Sequence, residues 1–349
     1  MASLIAKANS LREAATQGNL RYGTALATSD LSWEPYCRLI VRDCNLITPE
    51  YEMKWDAIAG LSGDPDYRAC DRLVAYAASN DLAFHGHALW WHGSVPAFLR
   101  ESASELFAQA ALEHLERTVA RYAGRLTSWD VVNEPLDPDH GRSGGLRSSP
   151  FLDAFGPGYV GEAFRKAAAI DPQAILVLNE MGLEYDSPEA ERKRRRMIAL
   201  LERELAGGAP IHCLGIQSHL DAADQPRDHR ELRAFLREID RLDLSVMITE
   251  MDVSDVRCTG DRQQRDRMVA DAYRAHIELV RAECRVLSVG TWGLSDARSW
   301  LHSHQRRGDG SPLRPLPRDR ALRRKPAWHA IRAALQSPQP DGPMQGPSA

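Results

Sequence analysis

From Arg21 onward, short apolar runs alternate with longer stretches in which apolar residues recur every three or four positions. The short runs predict buried strands, and the longer stretches predict amphipathic helices. Eight strands are predicted, at residues 21–26, 45–53, 82–91, 126–135, 174–181, 213–220, 244–253 and 286–296. Six helices are predicted between them, at residues 68–80, 102–122, 160–170, 188–206, 229–242 and 263–283.

Eight strands with helices between them are the count of a (β/α)₈ barrel, an α/β fold whose catalytic side chains lie at the C-terminal ends of the strands. Polar or aromatic residues stand at that end of the predicted strands: Glu50, His85, His87, Glu134, Asn179, Gln217, His219, Glu250, Trp292 and Asp296. We therefore expect a single barrel domain over residues 1–335. The Pro- and Gly-rich stretch at 336–349 predicts a disordered tail.

The composition is that of an ordinary globular protein. The chain has 349 residues, 43% of them hydrophobic and 26% charged, with a formal net charge of −4. This balance indicates neither a nucleic-acid nor a membrane partner, and we expect a monomer. The basic run at 191–196 lies inside a helical pattern, which favours a solvated helix face over a nucleic-acid patch.

No apolar run approaches the roughly 20 residues of a membrane span. Residues 1–15 predict a short amphipathic helix rather than a signal peptide, because Lys7, Arg12 and Glu13 interrupt the apolar positions. The compartment is therefore left open, since a signal removed earlier would leave no trace in this chain.

The six cysteines are spaced without CxxC pairs or zinc-finger intervals. This spacing is typical neither of a disulfide framework nor of a metal site. We expect buried thiols that pack as small hydrophobic groups. A single bridge between Cys37 and Cys44 is left open as an alternative.

Two predicted strands carry a glutamate at their C-terminal end. Residues 126–135, LTSWDVVNEP, end on Asn133 and Glu134, and residues 244–253, LSVMITEMDV, deliver Glu250 and then Asp252. A lone glutamate in this position is more often a helix cap or a rim ion pair. A pair is what the hydrolysis of a glycosidic bond requires, since one carboxyl group protonates the departing oxygen and the other attacks or stabilises the sugar carbon.

Six blocks of the chain resemble, in order and spacing, glycoside hydrolase family 10, the family of retaining endo-β-1,4-xylanases. The blocks are TPEYEMKWD (48–56), GHALWWH (86–92), WDVVNEP (129–135), GIQSHL (215–220), ITEMDV (248–253) and TWGLSDARSW (291–300). The resemblance covers about residues 11–335. It implies a (β/α)₈ barrel that hydrolyses a β-linked polysaccharide or oligosaccharide by a retaining mechanism without a cofactor.

The resemblance also implies roles for single residues. Glu134 resembles the acid/base, and Glu250 resembles the nucleophile. Asn133 resembles the residue that binds the sugar 2-hydroxyl, and His219 with Asp252 resembles the network that supports the nucleophile. The remaining implied substrate contacts are Glu50, Tyr51, Lys54, His87, Trp91, Ser94, Asn179, Gln217, Trp292 and Trp300. In contrast, Trp55 and Trp129 are expected in the core.

Two other kinds of function stay open. His85 and His87 occupy alternate strand positions and so point the same way, which permits a metal-dependent barrel hydrolase, although no third ligand has a clear spacing. A barrel that binds carbohydrate without catalysis is the other alternative. The presence of both glutamates with Asn133 and His219 argues against it, because a binding site has little use for a proton donor opposed to a nucleophile.

The chain departs from the family at one subsite. Tyr51 stands where the family has Asn, and Ser94 stands where it has Gln. Both amides belong, in the family, to the subsite for the second sugar on the non-reducing side. Asn179, Glu180 and Met181 also replace the usual Asn-Asp-Tyr. We therefore expect weak activity on plain xylan and a preference for another β-glycan, such as a bacterial exopolysaccharide or a glycoconjugate.

Overall fold

The computed structural model describes residues 9–59, 64–224 and 229–340. The β-strands in these ranges are β1 (Arg21–Leu26), β2 (Leu46–Pro49), β3 (Ala83–Gly86), β4 (Trp90–Trp91), β5 (Ser128–Asn133), β6 (Ile175–Glu180), β7 (Cys213–Ile216), β8 (His219–Asp221), β9 (Ser245–Ser254) and β10 (Val286–Thr291). The α-helices are α1 (Leu11–Gln17), α2 (Glu34–Asp43), α3 (Trp55–Ala59), α4 (Arg68–Ser79), α5 (Ser104–Tyr122), α6 (Pro150–Phe155), α7 (Tyr159–Ile170), α8 (Pro188–Ala206), α9 (Arg230–Arg241), α10 (Arg262–Glu283), α11 (Leu301–His304) and α12 (Pro326–Ala334).

Eight of these strands close into a parallel barrel. They pair in the order β1, β2, β3, β5, β6, β7, β9, β10, and β10 pairs with both β9 and β1. One or more helices connect each barrel strand to the next, as parallel pairing requires. The predicted (β/α)₈ barrel is confirmed, and the C-terminal ends of its strands meet at one face.

The six predicted helices are all present, and none of their ends differs from the prediction by more than two residues. Two predicted strands are each divided. The stretch 82–91 forms β3 and β4, and the stretch 213–220 forms β7 and β8. The apolar pattern did not indicate α2 or α12, both of which have a proline in their first turn. A helix was predicted over residues 1–15. In the described part of that stretch, α1 begins only at Leu11, after Ser10, and it continues to Gln17; residues 1–8 lie outside the described residues.

The basic run at 191–196 lies in α8, which begins where Ser187 accepts a hydrogen bond from the Ala190 amide. Arg194 is buried, whereas Arg192, Arg195 and Arg196 are exposed. The run is therefore part of a helix that presents most of its charge to solvent, as predicted. Among the described residues, no helix has both the length and the apolar character that a membrane span requires.

All six cysteines are free thiols, and all but the half-buried Cys37 are buried. The alternative of a bridge between Cys37 and Cys44 is therefore wrong. The residues predicted to begin the disordered tail contact the barrel: Arg281 donates to the Ser337 carbonyl, and the Val286 amide donates to Gln339. Residues 341–349 lie outside the described residues, and disorder there stays a prediction.

Candidate active site

Glu134 follows the last residue of β5 and lies at the C-terminal face of the barrel. Its φ angle of 55° turns the chain away from the strand, and its amide donates to the Asn179 carbonyl at 2.8 Å. A positive φ is uncommon outside glycine and is found where the surrounding structure holds it. The side chain of Glu134 is 12% exposed.

Glu250 lies inside β9 rather than at its end. β9 continues to Ser254 because β8 pairs with it, with His219 opposite Asp252. The Glu250 side chain is 8% exposed. The strand predicted over 244–253 is thus found to within one residue at each end, and Glu250 lies at the face of the barrel that carries Glu134.

A network of amides connects the two carboxyl groups. Gln217 Nε2 donates to Glu134 Oε1 at 3.0 Å and to Asn133 Oδ1 at 3.3 Å. Asn179 Nδ2 donates to Asn133 Oδ1 at 2.9 Å and to Glu250 Oε1 at 2.8 Å. The structure thus brings together five of the residues that sequence analysis singled out.

Asn179 was expected to contact substrate, but its polar atoms are engaged by protein groups. It is fully buried, and its Oδ1 accepts from Thr249 Oγ1 at 2.8 Å while its Nδ2 makes the two bonds described above. As placed, Asn179 orients Asn133 and Glu250.

His219 lies between Glu250 and Asp252. Its Nδ1 is 3.0 Å from Asp252 Oδ1, and its Nε2 is 3.5 Å from Glu250 Oε2. Burial alone would lower the pKa of His219, but Asp252 and then Glu250 together raise it well above its ordinary value. Trp300 Nε1 donates to the other Asp252 oxygen at 2.7 Å. Asp252 therefore holds both His219 and Trp300.

His85 and His87 both reach one carboxylate. Asp130 Oδ2 lies 2.9 Å from His85 Nε2 and 2.7 Å from His87 Nδ1. Burial favours the neutral form of Asp130, but His85 and then His87 lower its pKa. Within the described ranges no group of three or more His, Cys, Asp or Glu residues is arranged to hold a metal ion. His87 Nδ1 also lies 4.0 Å from Glu250 Oε1.

The charge of Glu250 is favoured by its neighbours. Burial would raise the pKa of Glu250, but His87 and then His219 bring it below its ordinary value. Glu250 is therefore suited to remain ionised, as a nucleophile must be.

Aromatic rings surround the Lys54 ammonium group beside these carboxylates. Lys54 Nζ lies 4.7 Å from the centre of the Trp91 ring, 5.7 Å from that of Tyr51 and 5.9 Å from that of Trp292. Burial lowers the pKa of Lys54, and Glu250 and Glu50 oppose that shift. Trp55 and Trp129 lie in the core, as predicted.

The hydroxyl groups of Ser94 and Tyr51, the two residues expected to stand in place of family amides, are bonded to protein groups. Ser94 is fully buried, and its hydroxyl donates to the Trp91 carbonyl at 3.3 Å. Tyr51 is 52% exposed, and its hydroxyl donates to Asp56 Oδ2 at 2.7 Å. Glu50 follows β2, and burial and then Asp30 raise its pKa. Asp296 is buried and paired with Lys325 at 3.0 Å, in an ion pair that includes none of the site residues above.

Several residues around the two glutamates were not predicted from the sequence. Asp130 had a signal, since it is a charged residue inside an apolar strand. Arg147 and His92 had none, because their contacts with Glu134 depend on how two loops fold. Arg147 Nε donates to the Glu134 carbonyl at 3.1 Å, and His92 Nε2 lies 4.0 Å from Glu134 Oε2. Burial and then Arg147 lower the pKa of His92 to about 4.

Residues 10–334 match the model of glycosyl hydrolase family 10. The chain is 34% identical to endo-1,4-beta-xylanase A of Cellvibrio japonicus (strain Ueda107) and 30% identical to endo-1,4-beta-xylanase C of Paenibacillus barcinonensis, in each case over 85% of this chain. It spans 51% and 29% of the lengths of these two relatives.

Its fold is similar to that of native xylanase 10B from Thermotoga maritima. The TM-score is 0.81 at 29% identity, over 94% of this chain and 98% of the other. The family match covers both candidate carboxylates and all eight barrel strands. The chain therefore belongs to glycosyl hydrolase family 10.

Proposed function

We propose that the chain is a retaining β-glycosidase in which Glu134 is the acid/base and Glu250 is the nucleophile. The observation that carries this proposal is the amide network that joins the two carboxyl groups at the barrel face. The amides of Asn133, Asn179 and Gln217 orient both carboxyl groups. The neighbours of Glu250 keep it ionised, and Glu134 lies opposite it. The two relatives and the Thermotoga maritima structure, which bear the name xylanase, support the same chemistry.

In the first step, a Glu250 oxygen attacks the anomeric carbon while Glu134 transfers its proton to the departing glycosidic oxygen. In the second step, Glu134 takes a proton from water, and that water displaces Glu250 from the anomeric carbon. The configuration at that carbon is retained because it is inverted twice. His219 stabilises the charge that Glu250 carries before the first step and regains in the second, and Asn133 is the donor for the sugar 2-hydroxyl.

The glycan is proposed to differ from plain xylan at the second sugar on the non-reducing side. Ser94 directs its hydroxyl to the Trp91 carbonyl, and Tyr51 directs its hydroxyl to Asp56. Neither replaces the amide that the family places there. A sugar hydroxyl without a partner costs on the order of 1–3 kcal/mol of transition-state binding. The Lys54 ammonium group remains as a cation beside the flat apolar rings of Trp91 and Trp292.

Hydrolysis of a panel of β-linked oligosaccharides, with NMR of the first-formed anomer, tests this proposal. We expect a product of retained configuration and a higher kcat/KM on a glycan other than linear xylo-oligosaccharides. An inverted product would contradict the retaining assignment, for which the carboxyl groups must lie about 5 to 5.5 Å apart. Xylan turnover typical of an efficient endo-xylanase would contradict the shift in specificity, and no turnover of any glycan would favour a barrel that only binds carbohydrate.

A further inference from the structure

The turn formed by Glu134, Pro135 and Leu136 is held by two side chains that contact no other site residue named above. All of its backbone polar groups have partners. The Glu134 amide donates to the Asn179 carbonyl, and the Pro135 carbonyl accepts from the Arg147 amide at 2.7 Å. The remaining groups of this acid/base turn are bonded by the side chains of Arg147 and Glu180.

Arg147 binds the carbonyl side of the acid/base turn. Its Nε donates to the Glu134 carbonyl at 3.1 Å, and its Nη2 donates to the Leu136 carbonyl at 3.2 Å. Its Nη1 reaches Asp137 Oδ2 at 2.9 Å, and the side chain is 15% exposed. A planar guanidinium group with three fixed contacts leaves the turn little freedom to move.

Glu180 binds the amide side of the same turn. Its Oε2 accepts from the Leu136 amide at 3.0 Å, and its Oε1 accepts from the Met181 amide at 3.0 Å and pairs with Lys193 Nζ at 2.8 Å. The side chain is fully buried. Glu180 is therefore an ionisable group close to Glu134 that water does not screen.

We propose that Arg147 and Glu180 are positioning residues that clamp the acid/base turn and so fix the direction in which Glu134 presents its carboxyl group. This inference rests on the proposed role of Glu134. The turn begins at the Glu134 carbonyl, so a shift of the turn would redirect the carboxyl group of Glu134.

The charged groups around the acid/base turn come from several elements. Lys54, His92 and Glu180 lie close enough to Glu134 for its charge to act on them. Asp137, His140 and Arg147 act on His92, and Lys193 pairs with Glu180. Burial raises the pKa of Glu180 to about 7, which Lys193 opposes and the charge of Glu134 reinforces. Glu180 therefore binds the Leu136 amide from within a group of charges beside Glu134.

Kinetics of Glu180→Gln and Arg147→Met test the proposal, on the best oligosaccharide of the glycan panel and on its 4-nitrophenyl glycoside. We expect kcat to fall on the order of 10- to 100-fold on the oligosaccharide, with KM little changed. The loss should be smaller for the glycosylation step on the activated glycoside, because its leaving group needs no proton.

Asp296→Asn is the matched control. Asp296 is also buried, accepts a backbone N–H from Leu316 at 3.0 Å and pairs with Lys325, but it does not contact the acid/base turn. We expect it to lose thermal stability without a larger loss of kcat on the oligosaccharide than on the activated glycoside. If Glu180→Gln does not fold, Arg147→Met alone decides.

Two outcomes would overturn the inference. Variants that lose activity equally on both substrates would show that the two side chains only stabilise the fold. A wild-type protein that is inactive on every glycan would remove the proposed function and this inference with it. The first outcome leaves the wild-type activity, and so the proposed function, in place.

Discussion

Asn179 Nδ2 donates a hydrogen bond to Glu250 Oε1 at 2.8 Å, from a side chain that is fully buried between neighbouring strands of the barrel. The space for this side chain depends on Gly215, which is paired opposite Asn179 in β7. A Cβ atom at residue 215 would lie 2.4 Å from Asn179 Oδ1. A glycine on one strand thus permits the contact that orients the candidate nucleophile.

Gly215→Ala is therefore expected to displace Asn179 and, with it, Glu250. We expect kcat to fall by about 10-fold or more and stability to fall by about 1–3 kcal/mol. Gly158→Ala is the matched control, since a Cβ there meets no atom within 4 Å. Steady-state kinetics and thermal unfolding of both variants measure the effect, and equal kcat values for the two would refute the role of Gly215.

The two carboxylates are expected to differ in their response to removal. Glu250→Ala should abolish turnover of every substrate, because no covalent intermediate forms without the nucleophile. Glu134→Ala should spare the glycosylation step on an activated aryl glycoside, because that leaving group departs without a proton.

Pre-steady-state kinetics on a 4-nitrophenyl glycoside and on an oligosaccharide separate these two roles. Glu134→Gln serves as the isosteric comparison for Glu134→Ala. A loss in the glycosylation step of Glu134→Ala that is as large on the activated substrate as on the natural one would speak against the acid assignment.

The acid limb of the kcat/KM profile should report Glu250. Its pKa lies below the ordinary value of 4.5, since His87 and His219 outweigh the effect of burial. Activity should therefore persist as the pH falls to about 4.5 and decline only below it. His219→Asn removes one of the stabilising groups, so the limb should move to higher pH. His140→Asn, at an exposed position, should leave the limb unchanged.

Tyr51→Asn should increase activity on xylo-oligosaccharides. The amide supplies a donor and an acceptor that the phenol, bonded to Asp56, does not. One added hydrogen bond of about 1 kcal/mol corresponds to a gain of roughly fivefold in kcat/KM. Tyr51→Phe keeps the ring but adds no amide, so it should show no gain. Equal values for the two variants would show that the amide is not what this subsite lacks.

The fold could be predicted from the sequence. Six helices and eight strands could be predicted because the periodicity of apolar residues depends on local burial, and the count of strands restricts the architecture to few solutions. Glu134 and Glu250 were also predictable, since each carboxylate interrupts or ends an apolar strand. The network that joins them was not, because Asn133, Asn179 and Gln217 come from β5, β6 and the segment that follows β7.

The sequence by itself determined the barrel, the family and the two candidate carboxylates. Only the tertiary structure decided that Asn179 supports the site from within, that the buried Ser94 hydroxyl bonds to the Trp91 carbonyl, and that Arg147 and Glu180 hold the acid/base turn. The physical reason is that periodicity shows which face of a strand or helix is buried. The partner of a buried polar group depends on which loops and strands meet at the end of the barrel. These segments are far apart along the chain, so the local pattern of residues does not indicate that they meet.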